Sequence, residues 1–251
     1  MDPRVTLLRE FSCGFIRGTA KVETEQFGFP FLEQLLTDGA SLEYGELTAT
    51  RLLHKYKLVD LPERRMDELL QRHINKECNV CRYFDAGAND VFCFNLDNNH
   101  KTDNTRVIPE MNLAVGALGR CLRDLGCEPL ILASGRGFHV WCRLEAPAAN
   151  DRLYGFMLHA AARALLAFHD SGYDHRQIKF NFYPDVKAHN VVSLRLFGSE
   201  HAKNKVFSHV LTPEGLLGEA DSWKYFEDFL RNKTMSLSKF AAAAGALAEP
   251  L

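Results

Sequence analysis

Leu130-Ile131-Leu132-Ala133-Ser134-Gly135-Arg136-Gly137-Phe138-His139-Val140-Trp141 is the stretch on which the fold turns. Leu130-Ile131-Leu132 reads as a strand, and the residues from Phe138 to Leu144 read as its antiparallel partner. Between them lies a Ser-Gly-Arg-Gly turn, where glycine lets backbone and ligand approach closely. The N–H groups of such a turn can hold phosphate oxygens, and Ser134, Arg136 and His139 can add donors to the same anion. The plainer reading is an ordinary hairpin with a core histidine.

The elements on either side extend the pattern. Upstream, Val91-Phe92-Cys93-Phe94-Asn95-Leu96 is a short apolar run ending in polar residues, the mark of a buried strand. Met111, Val115, Leu118, Leu122 and Leu125 recur at helical spacing, and Gly126 supplies a stop. Downstream, 151–170 reads as a helix, Ile178–Phe182 and Val191–Leu196 as strands, and 221–232 as a helix. The order over 90–196 is strand, helix, strand, strand, helix, strand, strand, which suits an α+β sheet with helices on one face.

Residues 1–85 read as a mostly helical region packed on that core. Helices are expected around Leu32, Leu35 and Leu36, around Leu52, Leu53, Tyr56 and Leu58, and around Met66, Leu69, Leu70 and His73. The expected division is therefore 1–85, a core over 86–215, and a C-terminal helical segment over 216–251.

Composition sets outer bounds. The chain has 251 residues, 46% hydrophobic and 25% charged, the balance of an ordinary globular protein. No stretch approaches the ~18–20 apolar residues of a membrane span. Met1-Asp2-Pro3-Arg4 lacks the basic start of a signal peptide, so a cytoplasmic setting is the expectation, or a nuclear one in a eukaryotic or viral context. Seven cysteines, an odd number, argue against a disulfide framework. A net charge of -2 argues against a broad nucleic-acid-coating surface and leaves room for a local basic groove.

Three segments carry candidate chemistry. Asn95 and Asp97 alternate along a strand and so share a face, where their oxygens can hold a hard cation. The turn from Ser134 to His139, Gly137 included, is the second. The third begins at Asp185 and continues through Arg195, Leu196, Gly198, Ser199, His201 and Lys203.

Together, over about 88–210, these segments resemble the catalytic core of archaeo-eukaryotic primases, a group that includes primase small subunits and primase-polymerases. The first motif there is a strand ending in acid-x-acid, here Asn95-Leu96-Asp97. The second is Ser-Gly-x-Gly-x-His, and the third a carboxylate before Arg-Leu-x-Gly-Ser-x-His-x-Lys. The resemblance implies an RRM-like catalytic core and template-dependent joining of nucleotides to a 3′-hydroxyl with Mg²⁺ or Mn²⁺. It implies Asn95, Asp97 and Asp185 as the catalytic and metal-holding set. Ser134, Arg136, Gly137, His139, Arg195, Ser199, His201 and Lys203 would contact the nucleotide. Single-stranded DNA and nucleoside triphosphates are the implied partners, with helicase or accessory domains as frequent companions.

One position departs from the pattern, since Asn95 stands where the family has an acid. An amide offers one neutral oxygen, so a cation should bind more weakly there. Three accounts stay open: an inactive homologue, a ligand set shifted to Asp97 with Asn99, or the replacement of an acid by its isosteric amide. Separately, His73, Cys78 and Cys81 form His-x4-Cys-x2-Cys, half of a zinc spacing, needing a fourth ligand such as Cys13, Cys93 or His100.

Overall fold

The computed structural model describes residues 2–12, 20–23, 41–44, 55–59, 63–77, 79–85, 87–98, 108–169, 175–185, 193–198, 200–201 and 205–248. The chain forms two compact units, one from 1–84 with 193–207 and one from 85–192 with 208–251. The break between 84 and 85 lies one residue from the expected one, and the expected break at 215 does not separate units. Residues 193–207 join the N-terminal unit because their strand pairs there, and 216–251 is built into the second unit.

The first unit contains helix α1 (Pro3–Ser12), strands β1 (Ala20–Glu23), β2 (Ser41–Tyr44) and β3 (Lys55–Val59), helix α2 (Glu63–Ile74) and strand β4 (Val80–Tyr83). Its five-stranded sheet has the order β2-β3-β1-β4-β9, where β9 is Ser193–Arg195. A mostly helical region was expected, and the third expected helix is α2. The second is corrected: Tyr56 and Leu58 lie in β3, antiparallel to β1 and β2. Lys55-Tyr56-Lys57-Leu58-Val59 alternates charged and apolar residues, a period of two that suits a strand. The expected helix near Leu32 lies outside the described residues.

Two polar side chains organise this unit. Arg82 on β4 is buried, its guanidinium 5.1 Å from the centre of the Phe11 ring and 5.9 Å from that of Phe84, in cation–π range of both. His73, fully buried near the end of α2, receives the Val80 N–H at Nδ1 (3.0 Å). Its other nitrogen, Nε2, must then carry the proton, which it donates to the Phe197 carbonyl at 2.8 Å.

The second unit is a larger sheet with helices on one face. Its strands are β5 (Ala88–Asn98), β6 (Leu130–Ala133), β7 (Gly137–Ala149), β8 (Ile178–Tyr183), β10 (His209–Thr212), β11 (Gly215–Leu216) and β12 (Thr234–Met235). The order is β11-β10-β6-β7-β5-β8, and β12 pairs in parallel with β7 at Arg143 and Leu144. All other pairings are antiparallel. The helices are α3 (Pro109–Asp124), α4 (Asn150–His169), α5 (Glu219–Asn232) and α6 (Leu237–Ala248). The expected α+β class therefore holds. One correction concerns the last strand of the 90–196 series: β9 belongs to the sheet of the first unit.

Local sequence explains the boundaries. Pro109 opens α3 at a position where its missing N–H is not needed, and Gly126 follows the helix at φ 77°. Strand β7 runs past Leu144 to Ala149 because β5 reaches it as far as Ala88, with a register shift between Asn89 and Val91. At the start of α6 the Leu237 N–H donates to Glu145 Oε1 (2.9 Å).

Alternation divides the sheet into two faces. On one, Phe92, Phe94 and Leu96 of β5, Phe138 and Val140 of β7, and Phe180 and Phe182 of β8 meet the helices. Met111, Val115, Leu118 and Leu122 come from α3, Leu153, Phe156 and Met157 from α4, and Phe240 from α6. Phe92 stacks edge-on against Phe156 at 5.5 Å, and Phe94 against Phe182 at 5.9 Å. Each fully buried side chain of this size contributes about 1.5–3 kcal/mol. The other face carries Asn95 and Asp97.

Gly137 limits how β5 and β7 approach. A Cβ built there would lie 1.9 Å from the Leu96 carbonyl oxygen, inside any tolerable contact. The Gly137→Ala variant is expected to lose about 3 kcal/mol of stability or more, because backbone rather than a flexible side chain would have to move. Thermal denaturation of the two proteins side by side measures the loss.

Candidate functional site

The register of three strands assembles the site in the second unit. Asn95 stands opposite His139 on β7 and Asn181 on β8, and Asp97 stands opposite Gly137 and Lys179. Directly paired residues share a sheet face. Asn95, Asp97, His139, Asn181 and Lys179 therefore form one polar patch on the side away from α3 and α4.

Within the patch the carboxylate is held by amides. Asn95 Nδ2 donates to Asp97 Oδ2 at 3.0 Å, and Asn181 Nδ2 donates to the same oxygen at 3.3 Å. This fixes the orientation of the Asn95 amide, nitrogen toward Asp97 and oxygen away from it. Asn95 Oδ1 is then buried without a hydrogen-bond partner, on a residue 7% exposed. A buried acceptor left unpaired costs about 1–3 kcal/mol. A donor or a cation would remove that cost, so the residues present fit a cation at this point.

The second expected segment forms the neighbouring hairpin. Ser134 and Gly137 close a two-residue turn, with the Ser134 N–H donating to the Gly137 carbonyl at 2.8 Å. Gly135 takes φ 92°, the conformation this kind of tight turn asks of its first central residue. Ser134 and His139 are buried, and Arg136 is partly exposed. The His139 ring meets the Trp141 ring edge-on at 6.3 Å.

Asp185 follows β8 after a cis Tyr183–Pro184 bond and is partly exposed. Tyr183 connects it with the patch. Burial pushes the Tyr183 phenol up to about 12, the negative charges of Asp97 and Asp185 push the same way, and a hydrogen bond with Asn95 opposes them. Asp97 and Asp185 are thus within electrostatic reach of one neutral phenol.

The third segment belongs to the first unit and is described there. Arg195 Nη1 donates to the Glu200 carbonyl at 3.0 Å, and Asn79 Nδ2 donates to the same oxygen at 2.8 Å. The His201 N–H donates to the Val206 carbonyl at 2.9 Å, and the His201 side chain is buried. Ser199, Lys203 and Asn99 lie outside the described residues.

The candidate zinc ligands are corrected at His73. Both of its ring nitrogens are engaged, one as acceptor and one as donor, so it has no lone pair left for a metal. Cys81 is buried on β4, and Cys78 lies outside the described residues, as do Cys13 and His100. Cys93, another candidate, is on the second unit's central strand with its thiol pushed well up by burial. Among the described residues no group of three or more His, Cys, Asp or Glu side chains could hold a metal ion. Cys93, Cys121, Cys127 and Cys142 are free thiols.

Sequence reasoning missed Asn181 and Tyr183. The signal was present in Ile178-Lys179-Phe180-Asn181-Phe182-Tyr183. Once Phe180 and Phe182 are placed in the core, Lys179, Asn181 and Tyr183 must face the other way.

No protein-family model matches the sequence, and no curated protein matches it significantly. Among solved structures, the polymerase domain of Ligase D from Mycobacterium tuberculosis in complex with DNA is similar at 13% identity and a TM-score of 0.35. The similarity covers 98% of this chain and 86% of that one. At that level it says nothing of chemistry, which has to be argued from the residues of the site. No helix among the described residues is long and apolar enough to cross a membrane.

The Tyr183 phenol gives a direct check on the patch. Its folded-state pKa lies above the unfolded value of about 10, so the folded chain holds the proton longer. Its contribution to stability is whole below about pH 10 and is lost as the pH rises through about 12. Ultraviolet titration of phenolate absorbance should show a step near pH 12 that Tyr183→Phe lacks.

Proposed function

We propose that this chain is a nucleotidyl transferase of the primase-polymerase type, joining nucleotides to a 3′-hydroxyl on a single-stranded DNA template. One observation carries the reading. Asn95 and Asp97 share a sheet face with His139 opposite, next to the Ser134–Gly137 turn. The Asp97 carboxylate thus shares a face with groups able to bind phosphate, which is compatible with phosphoryl chemistry.

Asn95 Oδ1, Asp97 and Asp185 would hold Mg²⁺ or Mn²⁺. Divalent ions, when bound, activate the attacking hydroxyl and stabilise the departing pyrophosphate. Ser134, Arg136 and His139 would bind the triphosphate and orient it, with Gly137 keeping the turn close to β5. Arg195, Ser199, His201 and Lys203 are proposed as further phosphate contacts on the sequence resemblance alone. Nucleoside triphosphates and single-stranded DNA are the partners this reading requires.

A second reading has its own support. The Asn95 amide bonds Asp97, where a second carboxylate would repel it. This favours a nucleotide- or nucleic-acid-binding module without catalysis. Primer synthesis and extension on single-stranded DNA with Mg²⁺ or Mn²⁺ separates the two. Asn95→Asp is expected to raise product by roughly a hundredfold, the scale of one well-placed electrostatic group in a transition state. Inactivity of both proteins, with nucleotide still bound, would leave the binding module as the better account. By calorimetry, His139→Ala should weaken nucleotide binding roughly tenfold, and unchanged affinity would remove His139 from the phosphate contacts.

A further inference from the structure

The Asn181–Asp97 contact has no counterpart among the motif residues, and it bears on how the site meets a cation. Asp97 stands opposite Lys179 on the same face, and two amide nitrogens converge on its Oδ2 at 3.0 and 3.3 Å. Amide N–H groups place partial positive charge where a cation would otherwise sit. Asn181 belongs to a different strand from Asn95, so the two donors approach from two directions along one face. The same arrangement turns Asn95 Oδ1 away from Asp97 and leaves it buried without a partner.

We infer that Asn181 is a regulating residue of this site: with Asn95 it forms an amide latch on Asp97 that a divalent cation must displace on binding. This rests on the reading of Asn95 and Asp97 as metal-holding residues and adds a residue to it. The latch, with Lys179 on the same face, compensates the Asp97 carboxylate without metal. Cation entry exchanges amide–carboxylate bonds for bonds to the metal, and Asn95 Oδ1 gains the partner it lacks. Affinity for the ion is lowered by the bonds given up. Removing a donor without adding charge should therefore tighten binding, which a purely structural asparagine would not do.

The test is titration of the full chain with Mn²⁺ alone, followed by electron paramagnetic resonance of the free ion. Asn181→Ala is expected to tighten Mn²⁺ binding roughly fivefold, the scale of one hydrogen bond to a charged group. Asn181→Asp should tighten it further, and Asp97→Asn should abolish it. Asn181→Ser, which keeps a small polar side chain in the strand, serves if Asn181→Ala fails to fold by circular dichroism. Unchanged or weaker binding in the Asn181 variants, with the original chain binding Mn²⁺, overturns the latch alone. Absence of Mn²⁺ binding in every protein overturns the latch and the metal-holding reading together. Loss of primer extension with the Mn²⁺ pattern intact overturns only the proposed activity.

Discussion

Strand β5 is hydrogen-bonded on both edges, to β7 and to β8, and this double pairing fixes everything else in the second unit. A strand held from both sides cannot slip by one residue without turning its aromatic side chains out of the core. Phe92, Phe94 and Leu96 are therefore committed to the helices, and Asn95 and Asp97 to the opposite face. The polar patch is the geometric complement of the core. The packing that stabilises the sheet also sets the positions of the candidate chemical groups.

This coupling explains which parts were legible in the sequence. The strands from 91 to 96, 130 to 132 and 178 to 182, with the helices between them, follow from apolar runs and helical spacing, and the structure places them close to where they were read. The shared face of Asn95 and Asp97 follows from alternation alone. Their partners do not, because register across strands is a tertiary property. Asn181 becomes a neighbour of Asp97 only when β8 is laid against β5. Its sequence position, four residues before the Asp185 that drew attention, gave no cue.

The N-terminal region was less legible for a different reason. Lys55-Tyr56-Lys57-Leu58-Val59 is short, and leucines just before it invite a helical grouping. What decides the matter is the availability of β1 and β2 as partners, which no local pattern records. The histidine and cysteines near residue 80 likewise look like half a zinc site when read by spacing. Both nitrogens of His73 are instead used inside the unit, to a strand and to a distant carbonyl, so the spacing reflects a helix end meeting a sheet.

The discontinuous make-up of the first unit has a consequence for how the chain is born. Strand β4 receives β9 as its outer partner, and His73 reaches the carbonyl of Phe197. Both partners leave the ribosome only after the whole of 85–192 has been made. During synthesis the second unit's central hairpin and first two sheet helices are complete before the first unit has its last strand. The N-terminal segment must wait with one edge of β4 open, a stage at which an unpaired strand edge is available to other chains.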